Sequence, residues 1–342
     1  MVVVQDSRTA SFLNALQGST QNTYRISLKK CEAYLRTLPE YANAIDPLFA
    51  FIIDVKKDRA LDVVEMRYVE RNVITGLFPF LKKQGYSNNT QLVDAAALQS
   101  FGNFSQVPLS TKFTKPPSNI SASEKHEWTI EELGKFIEAM RSSRYQALAT
   151  SALQSTLRLS DLVGENFVYG KIQKEFEEGV SPVCIQVRSS EKTEVEHRTF
   201  LGKLAVSKLK VYFEEFGVPK LDEPIFPVSK RSVDAVFLSH ALNLYPKWVG
   251  QNPYCIHSIR AAACTFLQDA HCPESVIEYF SGHGLGSDVK LRYRKRSTDR
   301  WRQFYKNFEW ALDYTLKPED MPKTSVSEFK RLVESLLSED EA

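Results

Sequence analysis

The chain has 342 residues and a mass of 39.0 kDa, which at roughly 150 residues per domain implies two domains. Hydrophobic residues make up 43% and charged residues 25%, an ordinary globular balance that excludes wholesale disorder. Lys plus Arg (44) nearly cancels Asp plus Glu (42), which excludes a uniformly basic, histone-like chain but leaves room for local basic patches. Apolar runs such as Leu48 to Val55 fall far short of the ~20 residues that cross a bilayer. The start, Met1 to Arg8, lacks a cationic region followed by an apolar stretch. Five cysteines (Cys31, Cys184, Cys255, Cys264, Cys272) form no C-x-x-C pair and read as reduced thiols. The expectation is a soluble, intracellular protein with no membrane partner.

In chain order, residues 1–18 read as an N-terminal extension and 19–104 as a helical domain. Tyr24, Leu28, Cys31 and Leu35 recur at spacings of three and four, which places them on one helix face. Further helical stretches are expected over Leu48 to Val55 and Val63 to Leu81, with Lys56-Lys57-Asp58 as a break, and over Thr90 to Phe101. Residues 105–127 hold Pro108, Pro116 and Pro117 among Ser and Thr without helical period, the signature of an exposed linker.

A second domain spans 128–314. Thr129-Ile130-Glu131-Glu132 has the form of a capping box, in which Thr129 accepts an orphan N–H and Glu132 reaches back. Helices are expected over Ile130 to Ser142, Gln146 to Leu157, Leu204 to Phe216, Val233 to Tyr245, Ser258 to Ala270 and Glu274 to Phe280. Between them, Cys184 to Arg188 alternates, Ser189 to Thr193 is polar, and Glu196 to Phe200 can return as a partner strand, giving a small β-hairpin or meander. The tail 315–342 carries Pro318 and Pro322, helix potential over Val326 to Leu337 and an acidic end. The fold class is therefore mostly α with a small β-sheet.

Four stretches of the second domain concentrate reactive residues. Leu157-Arg158-Leu159-Ser160-Asp161 follows an apolar helix, so Arg158 stands where the chain leaves the core, with Asp161 in reach as a salt-bridge partner. In His257-Ser258-Ile259-Arg260 the i, i+3 spacing puts imidazole and guanidinium on one face of a first helical turn, where an anion can be held. In Phe280-Ser281-Gly282-His283 a helix stops at Gly282 and presents an imidazole. Lys290, Arg292, Arg294, Lys295 and Arg296, followed by Arg300 and Arg302, form a basic run around Tyr293 suited to phosphate contacts. Cys255, His257, Cys264, His271 and Cys272 fit no standard zinc spacing, so no metal is expected.

Taken in order, an Arg after a helical pair, a hairpin, H-x-x-R, G-H and a Tyr ten residues later resemble the tyrosine recombinase (phage integrase) family. The resemblance covers roughly Trp128 to Trp310, and residues 19–104 are similar in size and position to that family's core-binding domain. It implies a tyrosine-recombinase-like α+β catalytic domain that cleaves and rejoins DNA without metal, nucleotide or other cofactor. Arg158 and Arg260 would clamp the non-bridging phosphate oxygens, and His257 and His283 would add hydrogen bonds. Tyr293 would attack to give a 3′-phosphotyrosine, with Tyr305 as runner-up. Lys192, at the hairpin turn, would protonate the leaving 5′-oxygen, with Lys203 as a weaker candidate. The implied partners are a double-stranded DNA site and three further copies of the chain, a tetramer on two duplexes, with the tail packing on a neighbour. Two rivals stay open: a type IB topoisomerase, and a DNA-binding protein on the same fold without catalysis.

Overall fold

The computed structural model describes residues 8–60, 68–109, 126–187, 196–245, 252, 254–283 and 297–316. The chain divides into two compact units, Met1–Ala122 and Ser123–Ala342, each with its own apolar core. Among the described residues no helix is long and apolar enough to cross a membrane. Lys192, Lys290, Arg292, Tyr293, Arg294, Lys295, Arg296 and the expected tail helix lie outside the described residues, as does the linker from 110 to 125.

The first unit is built from α1 (Arg8–Asn14), α2 (Gly18–Leu35), α3 (Pro47–Ala60), α4 (Tyr68–Lys83) and α5 (Asn88–Phe104). The face read from the sequence in α2 is the buried one: Leu28, Cys31 and Leu35 are in the core and Tyr24 packs against it. Helix α5 begins at Ser87, whose hydroxyl accepts the Thr90 N–H at 3.3 Å, an N-cap.

Three expectations need correction here. Lys56-Lys57-Asp58 does not break a helix; α3 runs through it to Ala60, because charge alone does not stop a helix that lacks Gly or Pro. The N-terminal extension is in part structural: α1 inserts Phe12 into the core against Phe101 and Phe104. The linker's first residues are not exposed either, since Val107 and Leu109 are buried in the same core. They are loop, as composition implies, but the burial of two apolar side chains ties that loop to the core.

The second unit contains α6 (Ile130–Glu138), α7 (Ser143–Ser155), α8 (Leu159–Leu162), α9 (Tyr169–Glu177), β1 (Val183–Val187), β2 (His197–Leu201), α10 (Lys203–Phe216), α11 (Lys230–Leu244), α12 (Ile256–Asp269), α13 (Glu274–Phe280) and α14 (Thr298–Phe308). Thr129 caps α6 by accepting the Glu132 N–H at 3.1 Å. Glu132 turns its carboxylate to His126 at 2.8 Å, in place of the expected return bond. Helix α7 is the hub. Its small residues Ala147, Ala149 and Ala152 are fully buried and let α10, α12 and β2 pack around it. The antiparallel hairpin pairs Val183 with Leu201 and Val187 with His197. Helix α9 is absent from the sequence reading, although Tyr169 and Ile172 are buried and Phe176 packs against the same core at helical spacing.

Candidate active site

Helix α7 ends because Thr156 adopts a left-handed conformation (φ 53°), and the chain turns so that Arg158 becomes the N-cap of the short α8. Helix α13 ends in a Schellman motif: the Gly282 N–H donates to the Tyr279 carbonyl at 3.1 Å and the His283 N–H to the Glu278 carbonyl at 3.0 Å. Gly282 carries φ 61°, and a Cβ there would collide with the His197 imidazole. Glycine is required at this position on both counts.

The turn formed by residues 281–283 gathers the site. Arg158 Nη2 donates to the Gly282 carbonyl at 3.2 Å. Arg260, in the first turns of α12 and only 5% exposed, donates from Nη2 to the Ser281 carbonyl at 2.6 Å and to His283 Nε2 at 2.7 Å. His283 Nδ1 meets Glu278 Oε2 at 2.8 Å. Three expected residues, Arg158, Arg260 and His283, thus converge on one backbone turn from stretches about a hundred and twenty residues apart in the chain.

Burial of the Arg260 guanidinium, and next the like charge of Arg158, push its pKa down to about 10, while Cys264, Asp161 and Glu278 act in the opposite sense. Arg260 therefore stays charged at neutral pH but is held under strain of its own kind: a desolvated cation beside another cation. Its Nη1 is buried with no hydrogen-bond partner among the described residues. A buried N–H of this type favours an acceptor, and two neighbouring guanidiniums favour an anion.

Asp161 is not where a simple surface ion pair would leave it. It is buried, with Oδ1 accepting from Asn166 Nδ2 at 3.0 Å, and the hydrogen bond of Arg158 given above goes to Gly282. His257 shares the first turn of α12 with Arg260 but is exposed while Arg260 is buried, so the i, i+3 spacing sets a common side without a common depth. Lys203 is the exposed first residue of α10.

Tyr305 is a core residue. It is 2% exposed, flanked by Phe200 at a tilt and by Phe280 edge-on, and its hydroxyl donates to the Gln154 carbonyl at 2.9 Å. Burial raises its pKa well above that of a free phenol, which opposes use as a nucleophile. Two residues of the site escaped the sequence reading, Glu278 and His197. His197 at the start of β2 is buried against Gly282; nothing in a hairpin's alternation marks it. Glu278 stands five residues before His283, one turn plus a cap, a spacing that carries meaning only once the Schellman turn is known.

No family model matches the chain, and no curated protein matches it. Solved structures do. The Tn1549 transposon integrase in complex with transposon right end DNA aligns with a TM-score of 0.51 at 12% identity, covering 90% of this chain and 99% of that one. The same integrase with a circular intermediate DNA gives 0.50, again at 12% identity and with the same coverage. A lambda integrase dimer bound to a core site aligns with 0.48 at 14% identity, covering 88% and 99%. Identities this low speak for architecture, and the first two alignments carry it. The chain is mostly helical with a small antiparallel sheet and has the tyrosine recombinase fold.

Proposed function

We propose that the protein is a site-specific DNA recombinase or integrase that breaks and rejoins strands through a 3′-phosphotyrosine. The observation that carries this reading is the convergence of Arg158 and Arg260, both donating to the 281–283 turn, with Arg260 Nη1 still in need of an acceptor. Phosphoryl transfer at a crowded anionic phosphorus requires mainly electrostatic stabilisation. Two guanidiniums with a fixed fork of donors suit the two non-bridging oxygens. His283 beside Arg260 and His257 on the exposed turn of α12 supply further hydrogen bonds. Tyr293, ten residues after His283 and within the basic run Lys290, Arg292, Arg294, Lys295 and Arg296, is the nucleophile in this reading; Lys192 protonates the departing 5′-oxygen.

The substrate is a double-stranded DNA site, contacted chiefly at phosphates and therefore with strong salt dependence. The solved integrases of like fold are complexes with DNA, which supports that choice. Strand exchange between two duplexes calls for four protomers, and the working location is wherever the DNA is, within the cell. The residues 19–104 serve as the core-binding domain and the tail as a contact to a neighbouring copy.

A duplex nicked close to the cleavage point traps the covalent intermediate, because the short 5′-hydroxyl fragment diffuses away. The wild-type protein gives a covalent adduct, and Tyr293→Phe abolishes it without loss of binding in a gel-shift assay. If Tyr293→Phe still traps DNA, the nucleophile is misassigned. If the wild type binds duplex DNA and never forms an adduct, the non-catalytic reading replaces this one; relaxation of any supercoiled plasmid without a sequence requirement would favour the topoisomerase.

A further inference from the structure

Among the described residues, the hydrogen bonds of Glu278 to the site go to His283, which it holds twice; on Arg260 it acts at a distance, through its charge. Its backbone carbonyl accepts the His283 N–H at 3.0 Å, the long bond of the Schellman motif. Its carboxylate Oε2 lies 2.8 Å from His283 Nδ1. The two positions bridged here, the third from the helix end and the second past its cap, are usually joined by an apolar contact. In this chain an imidazole and a carboxylate replace it.

The other ring nitrogen fixes the proton inventory. Arg260 Nη2 lies 2.7 Å from His283 Nε2, and a guanidinium can only donate. Nε2 must therefore offer its lone pair, and the ring proton resides on Nδ1, from which it is donated to Glu278. The order of donors is Arg260 to Nε2, then Nδ1 to Glu278. Asp161 does not compete for the ring, since its carboxylate accepts from Asn166. Arg158 is directed at the Gly282 carbonyl. A histidine whose second nitrogen is bound in this way has a set tautomer and ring plane.

We propose that Glu278 is a positioning residue: it sets the tautomer and orientation of His283 so that Nε2 faces Arg260 and any group Arg260 binds. This rests on the strand-transfer reading for its catalytic consequence, though not for its structural content. A proton that reaches Nε2 converts the ring to imidazolium, and the carboxylate at Nδ1 is already in place to balance that charge. Without Glu278 the ring is free to rotate or to move its proton to Nε2, where it would oppose an Arg260 donor.

The experiment has two arms. Long-range ¹H–¹⁵N spectra of histidine-labelled full-length protein, with His283→Gln for assignment, show His283 as the Nδ1–H form in the wild type. In Glu278→Ala that form is lost, and in Glu278→Gln, whose side-chain oxygen still accepts, it is retained. On the nicked duplex, Glu278→Ala slows covalent adduct formation by roughly 10–100-fold at unchanged DNA affinity, and Glu278→Gln recovers most of the rate. Placing Glu278→Ala on a His283→Ala background adds no further loss.

An Nε2–H wild-type ring overturns the proposal. So does an Ala variant that cleaves at the wild-type rate, or one whose loss persists without His283. If the wild type forms no adduct on any duplex, the strand-transfer reading fails and the spectra alone decide the role of Glu278: a tautomer that shifts with Glu278→Ala upholds it, and one that does not refutes it.

Discussion

Buried charge is handled differently in the first unit and at the 281–283 turn of the second, although elsewhere in the second unit Arg302 also pairs directly with Glu175. In the first, two cations reach buried carboxylates directly: Lys30 pairs with fully buried Asp94 at 3.2 Å and Arg59 with fully buried Glu70 at 2.7 Å. In the second, the hydrogen bonds of Arg158 and Arg260 described above go to neutral acceptors, two carbonyls and an imidazole. The carboxylates stand one step behind, with Asp161 bonded to Asn166 and Glu278 to His283. A direct ion pair compensates its charge within the fold, as a structural contact should. A guanidinium bonded to a carbonyl can exchange that partner for a better acceptor, and an anion is one. On the proposed function, the contrast separates charge that holds the fold from charge that would meet a ligand.

The sharpest way to break the contrast is to delete the guanidiniums. Arg158→Ala and Arg260→Ala should each slow adduct formation on a nicked duplex by about 100-fold or more, the scale for losing one preorganised donor, while salt-dependent DNA binding changes little. Equal losses of binding and cleavage would mean that these arginines only hold DNA. In the first unit, Glu70→Ala strands Arg59 in a partly buried setting and should cost about 3 kcal/mol of stability, seen as a lower urea midpoint. A neutral result would show that the pair is not the structural contact described.

Gly282→Ala tests the turn itself. A left-handed alanine costs roughly 1–2 kcal/mol, and contact with His197 adds to it, so the melting temperature of the second unit should drop. The smallest effect sharpens the comparison most. Inorganic phosphate or sulfate at about ten times its dissociation constant should raise the melting temperature by ~2–4 °C, and Arg158→Ala should remove that shift. Because Arg260 is held down to about 10, the anion effect should persist from pH 7 to 9 and fade above pH 10. The sign follows from linkage: a lowered cation pKa means that ionisation opposes folding below about pH 10, and an anion relieves that cost only while the guanidinium is charged.

Much of the molecule was legible in the sequence for a definite reason. The buried face of α2, the extents of α10 and α13 to within a residue, and the two hairpin strands to within a residue follow from periodicity and from the stop at Gly282. Arg158, Arg260 and His283 are candidates through the order of several individually weak matches along the chain, and it is the folded structure that brings them to one turn. Local pattern could not supply depth or partner. It offered Asp161 as the companion of Arg158, whereas the turn 124 residues away provides a carbonyl. It left Tyr305 as a second nucleophile, which burial removes. Helix α9 is legible in the i, i+3, i+7 spacing of Tyr169, Ile172 and Phe176, whereas the role of Phe12 stays hidden because its partners lie elsewhere in the chain. Glu278 needed the turn geometry before its spacing meant anything.

The Schellman turn at 281–283 has one more implication. By offering its two carbonyl oxygens to Arg158 and Arg260, the backbone acts as a surrogate ligand, and the electrostatic work of gathering two cations is completed as the chain folds. On the proposed function, an incoming phosphate would meet a receptor that is already assembled, and exchanging oxygens would demand little rearrangement or ordering of side chains.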